Sequence, residues 1–155
     1  MKLFKLAFIS LLPLTAHATD IAECSNPSGR TYFPHVGMVP AQKAGWVEDS
    51  ITGGITKVTV NEKGEYDVLF VDTRKAIVSS KEEGGKVLLY AKGNQSFGIL
   101  IFYPGKTVET YTFFKTNSGK LEYTNTTSRA GDELPLLKTS LMRGACSFIN
   151  LENVK

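Results

Sequence analysis

The stretch Ile55-Thr56-Lys57-Val58-Thr59-Val60-Asn61-Glu62-Lys63-Gly64-Glu65-Tyr66-Asp67-Val68-Leu69-Phe70-Val71-Asp72 decides the fold class. Its first six residues place Val58 and Val60 on one face, the period-two signature of a strand with one buried side. Asn61-Glu62-Lys63-Gly64 then reads as a hairpin loop, with glycine at the left-handed position that closes such turns. The return run, Tyr66 to Asp72, is rich in β-branched and aromatic residues and apolar on both faces at its middle. A helix would need apolar residues every three to four positions, and they are missing here.

The same rhythm extends along the chain. Strands are expected around Ala76–Ser80, Val87–Ala91, Phe97–Tyr103, Val108–Lys115, Lys120–Ser128 and Leu136–Met142, the last leading to Cys146 and Phe148. Tyr111 and Phe113 share a face of their strand. Polar or glycine-containing turns separate the runs at Lys81–Gly85, Lys92–Gln95, Pro104-Gly105 and Thr116–Gly119. Asp132 to Arg143 is the best helical window, but Pro135 and Thr139 weaken it. Short connections favour antiparallel neighbours. The expected fold is all-β: a single antiparallel β-sandwich or small closed barrel of about eight strands, mostly meander-connected. The doubly apolar runs Tyr66–Asp72 and Phe97–Tyr103 are expected at its centre, their second faces covered.

The start of the chain reads as an address. Lys2 and Lys5 precede the apolar run Leu6–Leu14 and Thr15-Ala16-His17-Ala18, a basic start, apolar middle and Ala-x-Ala cleavage site. Residues 1–18 are therefore expected to be a removable signal peptide and residues 19–155 a single β domain, periplasmic or secreted. An apolar run of about nine residues falls far short of the ~20 that span a bilayer, so no membrane span is expected in the mature chain. Glu23 stands where a lipid-modified cysteine would need a small residue, so no lipid anchor is expected on Cys24. Removal of the leader takes two lysines and no acid, leaving 16 basic against 15 acidic residues, a net of +1. That balance, without a basic cluster, argues against nucleic acid as a partner.

With 42% hydrophobic and 21% charged residues the chain is neither disordered nor a collagen or disulfide-dense scaffold. Cys24 and Cys146 are its two cysteines, and export would place them where disulfides persist. A bond between them would tie the terminal strands together within ~7 Å and, by closing a loop of roughly 120 residues, contribute about 4–5 kcal/mol.

Catalytic constellations are scarce. His35, in Phe33-Pro34-His35-Val36-Gly37, is the one histidine left after the leader, and no nucleophile elbow accompanies it. A metal site would want further ligands, so no metal and no cofactor is expected. Asp67 and Asp72 face opposite sides of one strand, about 16 Å apart, and cannot form a glycosidase pair. Glu48 and Asp49 adjoin Trp46 in the loop-like segment Gly45–Gly54, where Trp46 is expected to plug one end of the core. The weak candidates for binding are Trp46, Glu48 and Asp49 in that segment, Arg129 and Asp132 in Ser128–Glu133, and Arg143 near the disulfide. Asn94-Gln95-Ser96 and Asn125-Thr126-Thr127 match the glycosylation sequon, which matters only in a host using that route.

In scale, an exported, disulfide-tied β domain resembles the small periplasmic inhibitors and ligand-binding barrels of Gram-negative bacteria, a resemblance of architecture that transfers no residue. The functional expectation is a non-enzymatic module binding a protein or cell-envelope component. The alternative is a small-molecule β-barrel carrier, which an internal apolar cavity above ~300 Å³ would favour and a solid core would discard. A small hydrolase using His35 or Glu48/Asp49 comes third.

Overall fold

The computed structural model describes residues 18–71 and 75–155. The expected leader, apart from Ala18, and Asp72 lie outside the described residues. The strands are β1 (Thr19–Phe33), β2 (Gly45–Ser50), β3 (Ile55–Val60), β4 (Tyr66–Val71), β5 (Ile77–Ser79), β6 (Lys86–Lys92), β7 (Ser96–Tyr103), β8 (Thr107–Lys115), β9 (Leu121–Arg129) and β10 (Lys138–Ile149). They make one antiparallel sheet in the order β5-β4-β3-β1-β10-β9-β8-β7-β6, with β2 pairing β1 just beyond β3.

That sheet curls into a half-barrel, so the inner faces of β3 and β4 pack against those of β7 and β8. Among the described residues no ladder joins the end strands β5 and β6. The expected all-β antiparallel class holds, while the sandwich or closed barrel of about eight strands becomes a single curled sheet with additional strands. Two of those strands hide in sequence. Gly45–Ser50 is β2 rather than a loop, and Thr19–Phe33 is one long strand despite Asn26, Pro27 and Gly29.

The interruption in β1 explains how one strand serves two neighbours. The register against β10 shifts between Ser25 and Ser28, at Asn26-Pro27. Proline has no N–H for a ladder and is tolerated within a sheet at such bulges, and Asn26 takes the left-handed conformation at φ 49°. Loop 51–54 fills the gap: Asn26 N–H donates to Gly54 O at 2.9 Å, Gly53 N–H to Asn26 Oδ1 at 2.8 Å and Ile51 N–H to Pro27 O at 2.9 Å. Before the bulge β1 pairs with β3, and after it with β2.

The central strands are β1 and β10, whereas β4 and β7 each lie one strand from an end. The curl explains the difference: inward residues of β7 (Phe97, Ile99, Ile101) are fully buried against the opposite wall without the strand being central. Their outward neighbours are covered unevenly: Gly98 is buried beneath the Tyr90 ring, whereas Phe102 is 41% exposed. The core is an aromatic stack. Phe97 and Phe113 lie 4.8 Å apart, Phe113 and Tyr123 5.7 Å, and Tyr111 joins at 6.2 Å from Phe113, all nearly parallel. Each such pair adds about 0.5–1.5 kcal/mol beyond burial.

The C-terminal residues close one end of the half-barrel. Val154 is buried, Tyr66 Oη accepts from Lys155 N–H at 2.8 Å, and Lys92 Nζ donates to Val154 O. Cys24 and Cys146 sit directly opposite in the β1–β10 ladder and are disulfide-bonded, with Cα atoms 3.8 Å apart beside the Glu23/Cys24 bulge. The terminal strands are thus tied as expected. No described helix is long and apolar enough to cross a membrane.

Candidate functional site

The open end of the half-barrel is a polar cup on the concave face, with a volume of about 440 Å³. Its construction follows from strand register, because directly opposed residues of an antiparallel ladder share a face. The deepest row, Phe113 on β8 and Tyr123 on β9, belongs to the solid core. The next row toward the opening is Tyr111, Asn125 and Met142, followed by Glu109, Thr127 and Ser140. The rim row is Thr107, Arg129 and Lys138. Side chains therefore grade from aromatic at the base to basic at the rim, with Glu109 among the polar groups between. Facing these rows is an apolar wall of Pro27, Ile51, Ile55, Phe70 and Val71, set by the β1 bulge and the adjoining ends of β3 and β4.

Glu109 and Tyr111 form the chemical centre of the cup. Tyr111 Oη donates to Glu109 Oε2 at 2.9 Å. Burial raises the Glu109 carboxyl above its ordinary range, opposed by that hydrogen bond and by the charges of Arg129 and Lys138. Burial also pushes the Tyr111 hydroxyl well up, and the Glu109 carboxylate adds to the rise, so Tyr111 remains a donor at neutral pH. Tyr103, on the same wall, is raised by burial as well, partly offset by the Ser80 hydroxyl. Ser80 Oγ is fully buried but makes no hydrogen bond of good geometry among the described residues.

The residues singled out in the sequence fall in three places. Trp46 and Glu48 lie on the convex face of β2, and Arg143 on that of β10. Trp46 is 56% exposed, so it does not plug the core. Alternation on β2 turns it outward, where its ring centroid is 5.5 Å from that of Tyr32 and 5.8 Å from Arg30 Cζ. Glu48 Oε1 pairs with Arg30 at 3.1 Å, and Arg143 pairs with Glu122 at 2.7 Å. Asp49 points to the opposite face and accepts from Thr31 Oγ1 at 2.8 Å. Arg129 lines the cup, and Asp132 is exposed in the β9–β10 connection. His35 is exposed and makes no hydrogen bond among the described residues. His35, Glu48 and Asp49 are thus not assembled into one site, and no group of three or more metal-ligating side chains occurs among the described residues.

Glu109, Tyr111, Tyr103 and Lys138 are missing from the sequence-derived candidates. One signal was present: Tyr111 and Phe113 share the inward face of their strand, and alternation puts Glu109 on that face too. An acid at a core-facing strand position is by itself a pointer to a site. Comparisons with family models, with curated proteins and with solved structures give no match, so the function is read from the geometry alone.

Proposed function

We propose that the protein is an exported, non-enzymatic binding module whose concave cup takes a small polar molecule. The observation that carries this reading is a cavity of about 440 Å³ with hydrogen-bonding rows on one wall and an apolar wall opposite. Ligand sites are typically concave spaces of ~300–1,000 Å³ in which a few convergent polar groups fix orientation against apolar surface. Glu109, Tyr111, Asn125, Thr127 and Ser140 supply such groups. The rigid ladder behind them keeps the site formed without a ligand, which lowers the ordering cost of binding. Export is supported by the leader-like start and the disulfide.

A second reading, a protein or envelope partner on the convex face, draws on one observation: Tyr32, Trp46 and Leu141 are large, exposed and close together on β1, β2 and β10. Titration calorimetry of the mature protein against a panel of sugars, amino acids and small acids separates the two. The cup reading expects one-to-one binding of at least one member, lost in Thr127→Phe, which fills the cup, and kept in Trp46→Ala. Binding lost in Trp46→Ala and kept in Thr127→Phe would transfer the function to the convex face. Silence of the whole panel would count against the cup.

A further inference from the structure

We infer that Arg129 and Lys138 form an anion clamp at the rim of the cup, so that its ligand carries a carboxylate or phosphate group. The inference rests on the cup being the binding site and adds the charge class of what it holds.

Arg129 and Lys138 are directly opposed across the β9–β10 ladder. Like charges in that position repel and destabilise an antiparallel pair, their Cβ atoms being only about 4.5–5.5 Å apart. Both line the cup and both are half-buried. Other cations of this sheet have found acids: Arg30 pairs with Glu48 at 3.1 Å, Lys57 with Asp20 at 2.7 Å and Arg143 with Glu122 at 2.7 Å. Arg129 and Lys138 make no ion pair and no side-chain hydrogen bond among the described residues. The nearest acid on their face, Glu109, is one row deeper and diagonal in register, and its carboxylate accepts from Tyr111 instead.

Two cations share the field of the one Glu109 carboxyl on their face, so a net positive charge remains at the mouth of the cavity, and an anion bridging the two cations stabilises it. The spacing suits one carboxylate or phosphate, with the Arg129 guanidinium able to bind two oxygens at once and the Lys138 ammonium acting as a point charge. Behind the clamp stand Thr127 and Ser140, in one row with Glu109, whose carboxyl is engaged by Tyr111, and then Asn125, with the Phe70 wall opposite. A hydroxylated body with an acidic substituent, of the sugar-acid or sugar-phosphate class, matches this sequence of environments.

The test uses the mature, disulfide-bonded protein with glucuronate, glucose 6-phosphate, inorganic phosphate and glucose as probes, read by calorimetry and by thermal midpoint. The clamp predicts that glucuronate or glucose 6-phosphate binds one-to-one, at least ~10-fold more tightly than glucose, and more weakly as salt is added. Arg129→Gln and Lys138→Gln each weaken that binding ~10-fold or more, while each variant without ligand still unfolds in one cooperative thermal transition. Inorganic phosphate binding as tightly as glucose 6-phosphate would support the clamp and assign it to the free anion. Equal affinity for glucose and glucuronate, acidic probes that bind both variants like the wild type, or no binding of any acidic probe would each overturn the clamp. Binding of a neutral molecule that Thr127→Phe abolishes would show that the cup survives that failure.

Discussion

Removal of the disulfide by the double substitution Cys24→Ala/Cys146→Ala should cost close to half of a typical domain's stability. The two residues are 122 apart in sequence, and the chain-entropy treatment gives about 4–5 kcal/mol for a loop of that length. Cys24 is also buried in the core, and its loss of packed volume adds about 1 kcal/mol. A domain of this size has a total of roughly 5–15 kcal/mol, so the variant should remain folded with a much lower transition midpoint. The β1–β10 ladder persists in the variant and supplies the residual connection between the ends. Urea unfolding followed by circular dichroism measures the difference directly. Freeing the unfolded chain also exposes more surface, so the dependence on urea should steepen. A loss below about 1 kcal/mol with an unchanged slope would mean that the link does not restrain the unfolded chain.

Three further outcomes follow from particular residues. Burial raises the Glu109 carboxyl in the folded state, so folding favours its protonated form. That contribution is fully present below the ordinary carboxyl pKa of 4.5 and is lost as pH rises through the raised value. Thermal midpoints measured across pH should therefore show the wild type losing ground to Glu109→Gln as pH rises, and a gain would contradict the assignment. In Gly29→Ala the new Cβ would lie 2.0 Å from Leu141 O and 2.7 Å from Met142 Cα, both backbone atoms, so β1 and β10 would have to separate at a cost of about 2 kcal/mol or more. A denaturation midpoint equal to that of the wild type would rule this out. Trp46, the chain's sole tryptophan and 56% exposed, should emit at long wavelength and be quenched readily by acrylamide; blue, shielded emission would put it back in the core.

Local pattern carried much of the fold. Alternation located β3, runs rich in β-branched and aromatic residues located β4 and β7, and the hairpins at Asn61–Gly64 and Thr116–Gly119 connect neighbouring strands as read. Failures came where a strand carries its own interruption. Pro27 and Gly29 sit at and beside a bulge that lets β1 change partners, so no uninterrupted alternating run marks this strand. Gly45–Ser50 read as a loop because its acids and tryptophan face outward or pair locally, which leaves no buried stripe to recognise. The placement of β4 and β7 depended on curl, a property of the whole sheet that no single run encodes. The cup was legible only in fragments for the same reason, since its walls come from strands far apart in sequence. Arg129 was named, but the importance of Lys138 emerges only once the β9–β10 register sets the two cations face to face.

Backbone amide shift mapping during titration with glucuronate reports which face of the curled sheet meets the ligand. Saturable shifts are expected at Glu109, Tyr111, Thr127, Arg129 and Lys138, with Tyr32, Trp46 and Leu141 unmoved. Shifts confined to those three convex-face residues, or none at any amide, would contradict the cup as the binding site.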